Sequence, residues 1–113
     1  MKVAVVGSRT CNPEKVADIL NDILPRDTDT IISGGAAGAD TGGALAASRF
    51  LLDLVVHKPD WEKHGKSAGY KRNVLIAEDA DACIAFWDGK SKGTRHTIDL
   101  ILDLGKPLRV VII

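Results

Sequence analysis

Five short apolar runs punctuate the chain, at residues 2–6, 30–33, 51–56, 82–86 and 108–113. The runs at 2–6, 82–86 and 108–113 lack the polar alternation of a half-exposed strand, which is the pattern of strands covered on both faces. Between them lie helical patterns. Val16, Ala17, Ile19, Leu20, Ile23 and Leu24 recur at helical spacing, opened by Asn12 and Pro13 and closed by Pro25. Residues 41–50 predict a helix of small side chains, and 68–78 a helix that packs Tyr70, Val74, Leu75 and Ala77. Residues 97–104 predict a last helix, ended by Gly105 and Pro107. Residues 57–67 are the one long irregular stretch, longer than a plain connection needs. Strands alternating with helices predict an α/β fold. Its frame is a doubly wound sheet of five parallel strands in the order 3-2-1-4-5, with helices on both faces. The last strand is expected to be covered like the others. The order reverses between strands one and four, and ligands bind beyond the carboxyl ends of strands at such a point.

A length of 113 residues sets a single domain spanning 1–113. A hydrophobic share of 45% with 27% charged residues excludes a disordered chain. Fifteen basic residues balance fifteen acidic ones, so broad attraction to nucleic acid or anionic membrane is not expected. A local basic patch survives that argument: Lys58, Lys63, Lys66, Lys71, Arg72, Lys90, Lys92 and Arg95 fall within one third of the chain. Cys11 and Cys83 lack metal-type spacing and read as reduced thiols. His57, His64 and His96 share no metal spacing either, so no metal site is expected. No run reaches the roughly 18 apolar residues of a membrane span, and the first residues enter a strand without a leader pattern. A cytoplasmic protein is the expectation.

Candidate chemistry sits after three of the strands. Gly7-Ser8-Arg9 follows strand one, Gly34-Gly35-Ala36-Ala37-Gly38-Ala39-Asp40 follows strand two, and Trp87-Asp88-Gly89-Lys90-Ser91-Lys92-Gly93-Thr94 follows strand four. Glycine-bearing loops that lead into helix N-termini hold anions, through free N–H groups and the helix dipole. Neither Gly-Lys-Ser is a P-loop, because Asp60 and Ile84 stand where the first glycine belongs. The dinucleotide fingerprint is also missing, since Gly7-Ser8-Arg9-Thr10-Cys11-Asn12 carries one glycine. Gly34, Gly35 and Gly38 bring backbone to a ligand or make a tight turn. Asp40 caps its helix or accepts from a ribose hydroxyl. Gly93-Thr94 donates to an anion, or Thr94 is a plain N-cap. Arg9 pairs with phosphate or lies in a surface salt bridge. Arg72 and Asn73 fit a solvated helix face. Trp61 and Trp87 fit core packing, or Trp87 stacks on a base. His96 is a surface residue, or one near the ligand.

These pieces fall in a recognisable order. Gly7-Ser8-Arg9, Ile32-Ser33-Gly34-Gly35-Ala36-x-Gly38-Ala39-Asp40, Pro59-Asp60-Trp61, Gly65-Lys66-x-Ala68-Gly69, Arg72-Asn73, Ala80-Asp81 and Ala85-Phe86-Trp87-Asp88-Gly89-x-Ser91-x-Gly93-Thr94 cover nearly the whole chain. Together they resemble the YspA-type branch of the SLOG superfamily. That group also holds the DprA (Smf) Rossmann-like domain, the LOG proteins and the YpsA proteins. The resemblance implies a minimal Rossmann-like domain from a prokaryote or phage. It implies a nucleotide or nucleotide-derived ligand such as ADP-ribose, an NAD-like molecule or a nucleoside monophosphate. The domain would act as a sensor or nucleotide processor with no required cofactor.

LOG-type relatives cleave the N-glycosidic bond of nucleoside monophosphates with a Pro-Gly-Gly-x-Gly-Thr-x-x-Glu motif and a helix Arg. Gly93-Thr94 and Arg72 match those positions, but the Glu position falls on Thr97. A glycosidic cleavage normally needs a carboxylate, so the catalytic alternative rests on Asp88 or Asp40 with Arg72. DprA-type relatives bind single-stranded DNA with basic loops and additional domains. A zero net charge makes that partner unlikely here and leaves it the minor alternative. The expected ligand contacts are Gly7, Ser8, Arg9, Gly34, Gly35, Gly38, Asp40, Arg72, Trp87, Asp88, Gly89, Ser91, Gly93 and Thr94. The phosphate is expected against Gly34, Gly35, Gly93 and Thr94. Relatives self-associate, and Leu100, Leu102 and Leu104 offer a face for a homodimer or for the core.

Overall fold

Five strands assemble into one parallel sheet in the computed structural model, which describes residues 1–113. Their sheet order is β3-β2-β1-β4-β5. The strands are β1 (Lys2–Gly7), β2 (Thr30–Ser33), β3 (Asp53–Val56), β4 (Ala82–Trp87) and β5 (Leu108–Ile112). The helices are α1 (Pro13–Ile23), α2 (Ala39–Arg49), the single turn α3 (Trp61–His64), α4 (Ala68–Asp79) and α5 (Lys92–Asp103). The Rossmann-like arrangement read from the apolar runs is the one observed.

Alternation along the central strands sorts side chains between two cores. Val3, Val5, Ile31, Ile84 and Phe86 face α1 and α2. Ala4, Val6, Ile32, Cys83 and Ala85 face α4 and α5. Glycines in α2 make the first core thin. A Cβ at Gly42 would lie 2.5 Å from Val16 of α1, and one at Gly43 2.9 Å from Val5 of β1. The small-residue helix thus presses on the sheet and on α1. Cys11 and Cys83 are buried and free, and burial pushes the Cys83 thiol up to about 12.

Four local expectations need correction. The last strand is not covered: β5 is an edge, with Ile112 68% exposed. The third strand starts at Asp53 rather than residue 51. Leu51 instead takes a left-handed φ of 55° just after α2, where glycine more often ends a helix. Residues 61–67 of the supposed irregular stretch form α3 and a 3-10 turn. Finally, α5 starts at Lys92, five residues before 97. Ser91 is its N-cap and accepts from Thr94 N–H, so Thr94 is not the cap. Nothing apolar marks this first turn, which is why periodicity missed it.

Candidate functional site

Strand register brings two loops together. Gly7 of β1 pairs with Phe86 of β4, so the chain leaves both strands side by side at the reversal of sheet order. Ser8 N–H donates to Phe86 O at 2.9 Å, and Asp88 N–H donates to Ser8 Oγ at 3.3 Å. Asp88 Oδ1 accepts from the N–H groups of Lys90 and Ser91, both at 2.8 Å. These bonds to Ser91 and Lys90 hold its carboxyl below the usual carboxylate range. The turn they form aims the chain into α5.

Beyond these loops lies a cavity of about 370 Å³. Gly7, Ser8, Arg9, Asp40, Arg72, Asp88, Ser91, Gly93 and Thr94 line it, with Val6, Thr10, Ala36, Asn73, Ile76 and Thr97. Nine of the expected site residues therefore meet in one place. Gly34 and Gly35 border a neighbouring trough that shares Arg9, Ala36 and Arg72 with the cavity. Trp87, Gly38 and Gly89 line neither. Trp87 packs beside the α4/α5 core, and its Nε1–H donates to Ser91 O at 3.1 Å. Gly38 is spent on close packing beneath Ser8 and Arg9.

Asp40 does not cap its helix: Gly38 is the N-cap of α2, and Asp40 lies inside the first turn. Its Oδ2 accepts from Gly34 N–H at 3.1 Å and Ala36 N–H at 3.2 Å. Gly35 N–H goes to Ser33 Oγ. The amides of Gly34, Gly35 and Ala36 are thus already engaged by the protein's own side chains. Arg72 closes the arrangement: one guanidinium nitrogen donates to Gly34 O at 2.6 Å, and Nε donates to Asn73 Oδ1 at 2.9 Å. A Cβ at Gly34 would overlap that guanidinium, so glycine is what lets Arg72 sit there. Burial pushes the Asp40 carboxyl up, and the Ala36 amide and Arg72 only partly offset this. Burial likewise lowers Arg72, and Asp40 only partly restores it. Desolvation outweighs mutual attraction on both sides, as expected for charges facing each other without direct pairing.

Ala37 and Gly38 keep unbonded N–H groups within the glycine loop, and further free donors lie on the other loops. Arg9 is exposed and forms no ion pair. The N–H groups of Arg9, Thr10 and Gly93 have no acceptor within the protein. Sequence reasoning missed Asn73, which is buried rather than solvated. Its Nδ2 donates to Gly93 O at 3.3 Å and lies 3.2 Å from His96 Nδ1. Its spacing to Ile76 and Ala77 was the available signal, since these mark the buried stripe of α4, whereas Tyr70 and Leu75, expected to pack, are exposed. Thr97 also lines the cavity, and its hydroxyl donates to Gly93 O. His96 lies edge-on to Tyr70 instead of lining the cavity. No cluster of three or more His, Cys, Asp or Glu forms a metal-type site.

A family model described as YspA, cpYpsA-related SLOG family matches residues 1–64, through β1, the glycine loop and α3. The chain belongs to that SLOG family. Gene 61 protein of Mycobacterium phage D29 is 35% identical over 116 residues, covering 95% of this chain and 93% of that one. Two solved structures resemble the SLOG domain described here. DNA processing protein A (DprA) from Streptococcus pneumoniae aligns with a TM-score of 0.79 at 21% identity, over 96% of this chain and 49% of that chain. DNA processing protein A from Helicobacter pylori, solved for its single-stranded DNA binding mode, aligns at 0.73 and 22% identity. It is covered over 64% of its length, and this chain over 97%. At such identities the likeness establishes the shared fold, and this SLOG domain spans less than two thirds of either structure. No helix is long and apolar enough to cross a membrane.

Proposed function

We propose that this SLOG domain binds a nucleotide-derived ligand, with its phosphate in the cavity at the ends of β1 and β4. One observation carries the reading: Arg9, Thr10, Arg72, Gly93 and Thr94 line one cavity, and the N–H groups of Arg9, Thr10 and Gly93 are unbonded. The phosphate contacts these groups rather than Gly34 and Gly35, whose amides Asp40 and Ser33 engage. Asp40 Oδ1 and Asp88 Oδ2 accept from sugar hydroxyls.

The test is thermal unfolding with ADP-ribose, NAD, AMP and ribose 5-phosphate, followed by mass spectrometry of each mixture. A ligand at about a hundred times its Kd adds about 2.7 kcal/mol, or roughly ten degrees in a domain of this size. Arg9→Glu reverses an exposed charge that forms no ion pair and only faces Asp40 and Arg72, so it moves the midpoint without ligand far less than the ligand shift and removes that shift. A full shift in Arg9→Glu would misplace the phosphate. Free base in the mixture, lost in Asp88→Asn or Asp40→Asn, would make the domain an N-glycosidic hydrolase despite Thr97.

A second reading has its own support: the H. pylori structure concerns single-stranded DNA binding. It expects an oligonucleotide to bind at low salt and to dissociate steeply as salt rises. No mobility shift at low salt removes it.

A further inference from the structure

Arg9 and Arg72 each face two cavities. The second is a trough of about 420 Å³ between the glycine loop and the segment running into α3, and Lys58, Pro59 and Trp61 form its far wall. Three cations, Arg9, Lys58 and Arg72, border it with no carboxylate in its lining. None of the three belongs to an ion pair. Trp61 is 55% exposed. Its ring edge reaches α4 at Gly69, where a Cβ would stand 3.7 Å away. An exposed indole among unpaired cations has the composition of a seat for a base attached to phosphate.

The primary cavity offers no such seat, since no aromatic residue lines it. A third groove, on the α1 side of the sheet, contains Phe86, Ile19 and Ile113. Phe86 is fully buried and presents no ring face, and that groove shares Asp88 rather than an arginine with the cavity. Trp87 is turned toward the α4/α5 core with its N–H engaged. Tyr70 lies edge-on to His96 and lines neither cavity, whereas Trp61 lines the trough together with the phosphate-facing arginines.

Resting on the function proposed above, we infer that the trough is the base subsite of the same ligand. Trp61 stacks on the nucleobase, Arg9 and Arg72 hold the phosphates where the two cavities meet, and the sugar-phosphate end occupies the cavity at the strand ends. The ligand class is then a base joined through a diphosphate to a second sugar, as in ADP-ribose, rather than a lone sugar phosphate.

The chain has two tryptophans, which makes the test specific. Trp87→Phe leaves Trp61 as the sole indole fluorophore, and ADP-ribose is expected to quench it. Titration calorimetry of Trp61→Ala should show ADP-ribose weakened about tenfold, the scale of one lost base stack. Ribose 5-phosphate affinity stays unchanged, and Trp61→Phe recovers part of the loss. Wild-type ADP-ribose affinity in Trp61→Ala, with binding still lost in Arg9→Glu, overturns the base subsite and leaves the proposed function standing. No binding of ADP-ribose to the unaltered protein overturns the inference, and no binding of NAD, AMP or ribose 5-phosphate either overturns the proposed function as well. Quenching by a single-stranded oligonucleotide but not by ADP-ribose assigns the trough to nucleic acid and also overturns the inference.

Discussion

Gly38→Ala should destabilise the domain by at least about 3 kcal/mol, a large fraction of a small domain's stability. Two causes combine. Gly38 has φ 75° and ψ −119°, a region that side chains with a Cβ avoid. A Cβ there would also lie 2.5 Å from Ser8 O and 2.6 Å from the Arg9 carbonyl carbon. Both obstacles are main chain in the loop that Ser8 N–H ties to Phe86 O, so neither can yield cheaply. Gly89→Ala is the control. It shares a positive φ, 79°, but nothing stands within 4 Å of its Cβ position. Its loss should be only the backbone term of about 1–2 kcal/mol. Urea unfolding of the pair separates strain from collision, and equal losses would contradict the packing argument.

Arg72→Met is the second large effect. It leaves Gly34 O and Asn73 Oδ1 without their donor and removes the cation facing Asp40. A buried carboxylate without its counter-charge costs about 3 kcal/mol, and phosphate affinity should fall roughly a hundredfold. The pH dependence identifies the cause. Burial already raises Asp40, and losing Arg72 raises it further. A folded carboxyl raised above its unfolded value of about 3.9 favours folding most below that value, and the advantage is lost as pH rises through the folded pKa. The deficit of Arg72→Met against wild type should therefore be largest at neutral pH and narrow as pH falls toward 4. In an Asp40→Asn background the same substitution should cost less and show no such narrowing. A deficit independent of pH would mean that Arg72 acts only through its hydrogen bonds.

The frame was legible because central parallel strands cannot hide their composition. The runs around Val3–Val6, Ile31–Ile32 and Cys83–Phe86 are buried on both faces, and the loops after them carry the glycines that the close approaches require. Edge exposure of β5 had one signal, Arg109, since β4 carries no charge and a charged residue inside a strand marks an edge. The destination of Trp87 was partly legible: it has the parity of Cys83 and Ala85, which face α4 and α5. The glycine loop misled for a physical reason. Its free amides look like an anion site until a buried carboxylate six residues from Gly34 folds back and accepts from them. Such a contact depends on how α2 leaves the loop, and no local pattern encodes it.

The engaged amides of Gly34, Gly35 and Ala36 make the central claim specific, and amide chemical shifts test it. In a ¹H–¹⁵N correlation spectrum titrated with ribose 5-phosphate, which carries no base to fill the trough, the largest changes should fall on the free N–H groups of Arg9, Thr10 and Gly93. The amides of Gly34 and Ala36, bonded to Asp40, should move least among the site residues. The reverse pattern, or changes confined to surfaces away from the β1 and β4 loops, would contradict it.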